Sequence, residues 1–372
     1  MKSSFVIGHL FGIPVKIHLS LIIILPFFGW AFGNNIIYLT ENTNIARRQL
    51  VLNPYLLGFG LALLLFISIL IHELAHALVA RTKNVTTTDI TLMLFGGLAN
   101  IEEISKDPRD EMKIAASGPI TSLVIGSLFL LLAHLSPDLV WEDLRLIFLY
   151  TGQLNLFLGA FNLLPAFPSD GGRILRALLA QQTSFTKATE LAAKIGKGFA
   201  FAFGILGFVS GNFLLIFIAF FIYIGASQEY QFSNIKNALS NLKIKDLMTK
   251  DVKTVQVNIS VKQLLEKMFT DKHSGFPVLR DGKVVGIVTM EDARKIEASE
   301  YSSTSVQAIM NREIHSVQED DELLAAFQML FKKDIGRLLV MEGNQLRGII
   351  TRSDVMTGLR VRELENIDQE RS

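Results

Sequence analysis

Apolar residues fill the first 230 positions in long blocks and the rest of the chain only in short ones. The run from Pro54 to Ile71 holds eighteen uncharged residues. Other apolar blocks lie at about 18–33, 118–135 and 144–167. A helix of roughly 20 apolar residues crosses a bilayer. Each block therefore predicts one spanning helix, the second covering 54–80. The block at 199–226, with "AAKIGKG" before it, is too long for one span, and "VSGN" at 209–212 reads as a turn. It predicts two helices, at about 194–209 and 212–228, which makes six.

Two segments of this region have another rhythm. "VTTTDITLMLFGGLANIEE", 85–103, is rich in Thr and Ile around a Gly pair. That pattern predicts an extended or hairpin segment near the inner face, where irregular backbone must line protein or a wet cavity. "SFVIGHLFGIPVKIHLS" near the start predicts another short strand. Beyond residue 230 the pattern is that of a soluble domain. A linker is expected over 231–243, and two copies of one unit follow over 244–300 and 301–372. Met248 aligns with Met310, Gly286 with Gly348, Thr289 with Thr351 and Asp292 with Asp354, each pair 62 positions apart. Each copy reads as a short strand, an amphipathic helix, two strands around a turn ("RDGK", "EGNQ") and a helix.

Charge sets the orientation of this architecture in a membrane. Lys and Arg favour cytoplasmic loops. With the N-terminus inside, loop 81–117 carries Arg81, Lys83, Lys106, Arg109 and Lys113, and loop 168–193 carries Arg173, Arg176 and Lys187. The outer loop 34–53 carries only Arg47 and Arg48. The expected protein is multi-pass, in the cell membrane, with both termini cytoplasmic. Half of the 372 residues are apolar and mean hydropathy is +0.38. The net charge of +1 argues against a nucleic-acid partner. No cysteine is present, which excludes disulfides, a thiol nucleophile and thiolate metal ligands. The first residues do not read as a cleavable leader.

Ionisable groups inside a membrane helix are costly unless they serve a function. His72, Glu73 and His76 interrupt the second block as "HELAH". Positions i and i+4 share a helix face, so both histidines can meet one metal ion, with Glu73 beside them as the base that activates water. A catalytic zinc takes a third protein ligand. Asp170 is the only carboxylate from 144 to 189. It follows the fourth span in "NLLPAFPSDGGRILRA", where Pro165 and Pro168 break the helix and Gly171 and Gly172 allow close approach. The alternative for Asp170 is a helix N-cap. Glu102, Glu103 and His134 are weaker ligand candidates.

"HELAH" in a membrane helix with "NLLPAFPSDGGR" after a later one resembles the site-2 proteases, intramembrane zinc metalloproteases, in their six-span, sporulation-protease-like branch. The resemblance covers roughly residues 1–230. It implies one zinc per chain held by His72, His76 and Asp170, Glu73 as general base, and Asn162 on the substrate or the developing oxyanion. The implied reaction is peptide hydrolysis in or near a membrane segment of a single-span or membrane-anchored substrate. "GPITS", 118–122, fits a further family element only in part, because Ser122 stands where the family has asparagine. A helix start at Gly118-Pro119 is the expectation there.

The repeats resemble a tandem CBS pair, a soluble α/β module. The resemblance implies an adenine nucleotide as regulator, with Thr289, Asp292, Thr351 and Asp354 on ribose and phosphate, and a homodimer through the pair. Thr-x-x-Asp before a helix is equally a capping arrangement. The fold class expected is thus a multi-spanning α-helical membrane protein of about six helices with short β segments, joined to a soluble α/β CBS pair. The rival function is a CBS-regulated metal transporter or channel, in which buried His and Asp line an ion path; an internal membrane repeat would favour it, and the sequence has none.

Overall fold

The computed structural model describes residues 4–42, 50–93, 96–101, 107–135, 142–240 and 242–371. The chain divides into two compact units, Met1–Phe232 and Ser233–Ser372.

The first unit opens with a hairpin, β1 (Ser4–Leu10) and β2 (Ile13–His18), and a helix, α1 (Leu19–Asn42). Then come α2 (Pro54–Thr82), β3 (Thr87–Met93) and β4 (Gly96–Ile101). The remaining helices are α3 (Pro108–Leu135), α4 (Glu142–Asn162), the short α5 (Asp170–Ala180), α6 (Phe185–Ser210) and α7 (Phe213–Leu239). All except α5 are long and apolar enough to cross a membrane, which gives the six expected spans and makes this an integral membrane protein.

Local chemistry sets several ends. Asn53 caps α2 by accepting from the Tyr55 N–H at 2.9 Å, with Pro54 at the first helical position. Gly211, at φ 67°, ends α6 in the left-handed conformation that the "VSGN" turn requires. The stretch expected as a linker, 231–243, is helical as far as Leu239.

The two predicted β segments form one sheet, ordered β1-β2-β3-β4. β2 and β3 pair in parallel, Val15 opposite Ile90, and β3 pairs with β4 antiparallel. Asp89 ties the sheet together: its carboxylate meets Lys16 Nζ at 3.0 Å and accepts from Thr91 and Asn100. Burial favours the neutral acid, yet Lys16 and these donors outweigh it and hold Asp89 below the usual carboxylate range.

One expectation fails. α3 starts at Pro108, and Pro119 lies inside it rather than at its first turn. The ten residues before Gly118 are amphipathic, so a window tuned to apolar runs misses them, although their buried side, with Ile114 and Ala115, belongs to the core.

The second unit contains the repeat. The helices 261–271 and 323–332 and the strand pairs 275–280/283–289 and 337–342/345–351 recur at the 62-residue offset. Each copy forms a three-stranded sheet. The helical turns that precede the copies are exchanged: Ile244 packs in the core of Leu323, Leu330 and Leu338, and Val306 in that of Leu264, Phe276 and Val288. Main-chain bonds Thr249–Ile349 and Ile287–Asn311 complete the exchange.

Candidate functional site

α2 carries His72 and His76 on one face, each 3% exposed. Their Nε2 atoms lie 3.2 Å apart, and each is 3.1 Å from Asp170 Oδ2. The three donor atoms lie within 4.8 Å of one another, an arrangement that could hold a metal ion.

α3 orients both rings. His76 Nδ1 is 2.7 Å from the Ile114 carbonyl oxygen, which can only accept. In the neutral ring the proton is therefore on Nδ1 and the Nε2 lone pair faces the cluster. His72 Nδ1 lies 2.9 Å from Ser122 Oγ. The His76 lone pair and the Asp170 oxygen, 3.1 Å apart, repel one another unless a cation or proton lies between them, and two histidines with one carboxylate are a zinc donor set. The residues fit zinc on this ground. Gly118 adds to it: a Cβ there would stand 2.6 Å from His72 Nε2 and closer still to His76 Nε2.

Asp170 reaches the histidines from the first turn of α5. The N-cap position belongs to Ser169, so the capping alternative for Asp170 does not hold. Ser169 Oγ donates to the carbonyls of Leu164 and Ala166 and ties the loop between α4 and α5. Gly172 lets that loop close, since a Cβ there would lie 2.6 Å from Phe167 N.

Glu73 faces β4, and its Oε2 accepts from the Ala99 N–H at 3.1 Å. Asn162, the last residue of α4, donates from Nδ2 to the Leu158 carbonyl at 3.0 Å. Both line one cavity of about 810 Å³ together with His72, His76 and Asp170. Its other walls are mainly apolar, among them Phe28, Phe66 and Phe221. Glu102 and Glu103 lie outside the described residues. His134 is exposed and sits sixteen positions along α3 from Gly118, roughly 24 Å at helical rise; it is not part of the cluster.

Sequence reasoning missed the roles of Ser122, Ala99 and Gly118. The spacing of Gly118 and Ser122, one helical turn apart beside a proline, was the available signal.

In the tail, Thr289 Oγ1 donates to Asp292 Oδ2 at 2.7 Å, and Asp292 N–H donates back to Thr289 Oγ1 at 3.3 Å. Thr351 and Asp354 repeat the arrangement at 2.7 and 3.3 Å. These are capping boxes that open the helices after each strand pair.

A buried pair of histidines and a carboxylate converges between helices of membrane-spanning length, a donor set that could hold a metal ion. The model of peptidase family M50 matches residues 60–138 and 136–205, and that of the CBS domain matches 244–299 and 306–360. A zinc metalloprotease of Methanocaldococcus jannaschii is 33% identical over 98% of both chains. Stage IV sporulation protein FB of Bacillus subtilis is 31% identical over 38% of this chain and 48% of its own. A solved structure of the site-2 protease of M. jannaschii aligns with 61% of this chain and 95% of its own, at 34% identity and a TM-score of 0.41. The chain belongs to peptidase family M50, the site-2 proteases, which are zinc metalloproteases of the membrane, and it carries a C-terminal CBS pair.

Proposed function

We propose that the protein hydrolyses a peptide bond in or near the membrane segment of a single-span or membrane-anchored protein, at the cluster of His72, His76 and Asp170. The observation that carries this is the convergence of three acceptor atoms beside Glu73 on the wall of a largely apolar cavity. His72, His76 and Asp170 would hold one Zn2+ per chain, which supplies a Lewis acid and lowers the pKa of water. Glu73 takes the proton from the attacking water and delivers it to the leaving amine. The Ala99 N–H fixes the Glu73 carboxylate in the cavity. Asn162 would turn its amide from Leu158 to a substrate carbonyl or the developing oxyanion.

A helical substrate hides its carbonyls, so cleavage needs local unwinding. β4 is an edge strand of the sheet and lines the cavity through Gly96, Gly97 and Ala99. Substrate would pair there as an added strand. Proline placed at 96–98 is expected to impair cleavage with zinc retained; undiminished cleavage would remove this step from the mechanism.

The tail is read as a sensor of adenine nucleotide, through Thr289, Asp292, Thr351 and Asp354, and as the homodimer contact. Both termini are read as cytoplasmic, and the host membrane as the cell membrane. The metal assignment is tested by zinc content in detergent. Wild type is expected to hold one zinc per chain, and His72→Ala, His76→Ala and Asp170→Ala to lose it. Full zinc in all three variants would refute the assignment.

A further inference from the structure

The two arginines of "GGRILRA" lie three residues apart on α5 and meet opposite surroundings. Arg176 is 1% exposed. Its guanidinium donates to Glu111 and Glu229 and lies 5.1 and 4.8 Å from the rings of Phe167 and Phe185. Arg173 is half-buried, lines the active-site cavity, and makes no hydrogen bond or ion pair among the described residues. It is the only Lys or Arg among the described residues that line this cavity.

The acidic side chains of the cavity and of the Arg176 cluster have other partners. Asp170 Oδ2 faces both histidines, Glu73 Oε2 takes the Ala99 N–H, and Glu111 and Glu229 hold Arg176. A guanidinium withdrawn from water without an anion is unfavourable, and its fork matches a carboxylate. Arg173 is one helical turn from Asp170, with roughly 5–6 Å between Cβ atoms at that spacing. An extended substrate covers about 3.3 Å per residue. The position therefore faces a side chain one or two residues from the bond being cut. We propose that Arg173 selects substrates that carry an acidic side chain at that distance from the scissile peptide, within an otherwise apolar segment. This rests on Asp170 being a zinc ligand.

The test reads binding rather than turnover. Zinc-loaded full-length protein in detergent is titrated with fluorescent apolar peptide hydroxamates that carry Asp, Asn or Lys next to the chelating group. The Asp peptide is expected to bind wild type about tenfold or more tightly than the Asn peptide. Arg173→Gln should erase that ratio and still bind the Asn peptide as wild type does, which shows that the variant is folded and loaded. Arg173→Glu should prefer the Lys peptide. Equal binding of Asp and Asn peptides to wild type, or a ratio that survives in Arg173→Gln, overturns the proposal. Failure of all three peptides to bind wild type would overturn the metal-site reading and take the proposal with it.

Discussion

His72 and His76 give their Nδ1 atoms to α3 and so aim their Nε2 atoms at Asp170. The partner of His72 is a hydroxyl, and removing it frees the ring to turn. Ser122→Ala is expected to weaken zinc binding about 10- to 100-fold, as loss of a ligand's orienting partner does, read by chelator competition; an unchanged affinity would show that Ser122 is idle. Gly118→Ala should abolish zinc binding, because the new methyl would occupy the donors' space. At this scale the proposed ligands stand out in sequence because their chemistry is local: two histidines one turn apart, and the one carboxylate between 144 and 189. Their supports do not. Ser122 and Ala99 act across fifty and twenty-six residues of chain, and small residues advertise nothing until the partner helix or strand is placed.

Between elements, buried charge fixes α5 against α3 and α7. Arg176 counted in sequence as one more positive charge of an inner loop, yet it is buried against Glu111 and paired with the partly exposed Glu229. Glu111 Oε2 already lacks a partner among the described residues. Arg176→Met leaves the carboxylates uncompensated and should destabilise the protein by about 3–5 kcal/mol; replacing Arg176, Glu111 and Glu229 together by apolar residues should recover much of that, both read by denaturant unfolding in detergent. The sheet has its own signature. Asp89 is held below the usual carboxylate range, so its contribution is fully present above the pKa of the unfolded chain and is lost as pH falls through the lower folded value. Amide exchange in β3 and β4 should stay slow from neutral pH to about 5, after correction for the intrinsic rate, and quicken below about 4; Asp89→Asn should remove that acid step. An acid step that persists in the variant would assign it to another group. That the two predicted β segments join in one sheet was beyond sequence reasoning, since a parallel β2–β3 pair needs the intervening α1 and α2 placed first.

Across the whole molecule, two units with different solvents share one chain. Composition distinguishes them, because a bilayer demands long apolar blocks and water does not. The exchange of lead-in turns between the two CBS copies was not legible, since the repeat aligns each turn with its own copy while packing assigns it to the other. Glu73 is proposed to move the proton for a metal centre that it does not itself hold. The direct measurement compares wild type with Glu73→Gln in detergent, reading zinc content and cleavage of a single-span reporter on the same preparations. About one zinc per chain is expected in both, with cleavage confined to wild type. Cleavage by Glu73→Gln at the wild-type rate, or loss of its zinc, would contradict that role.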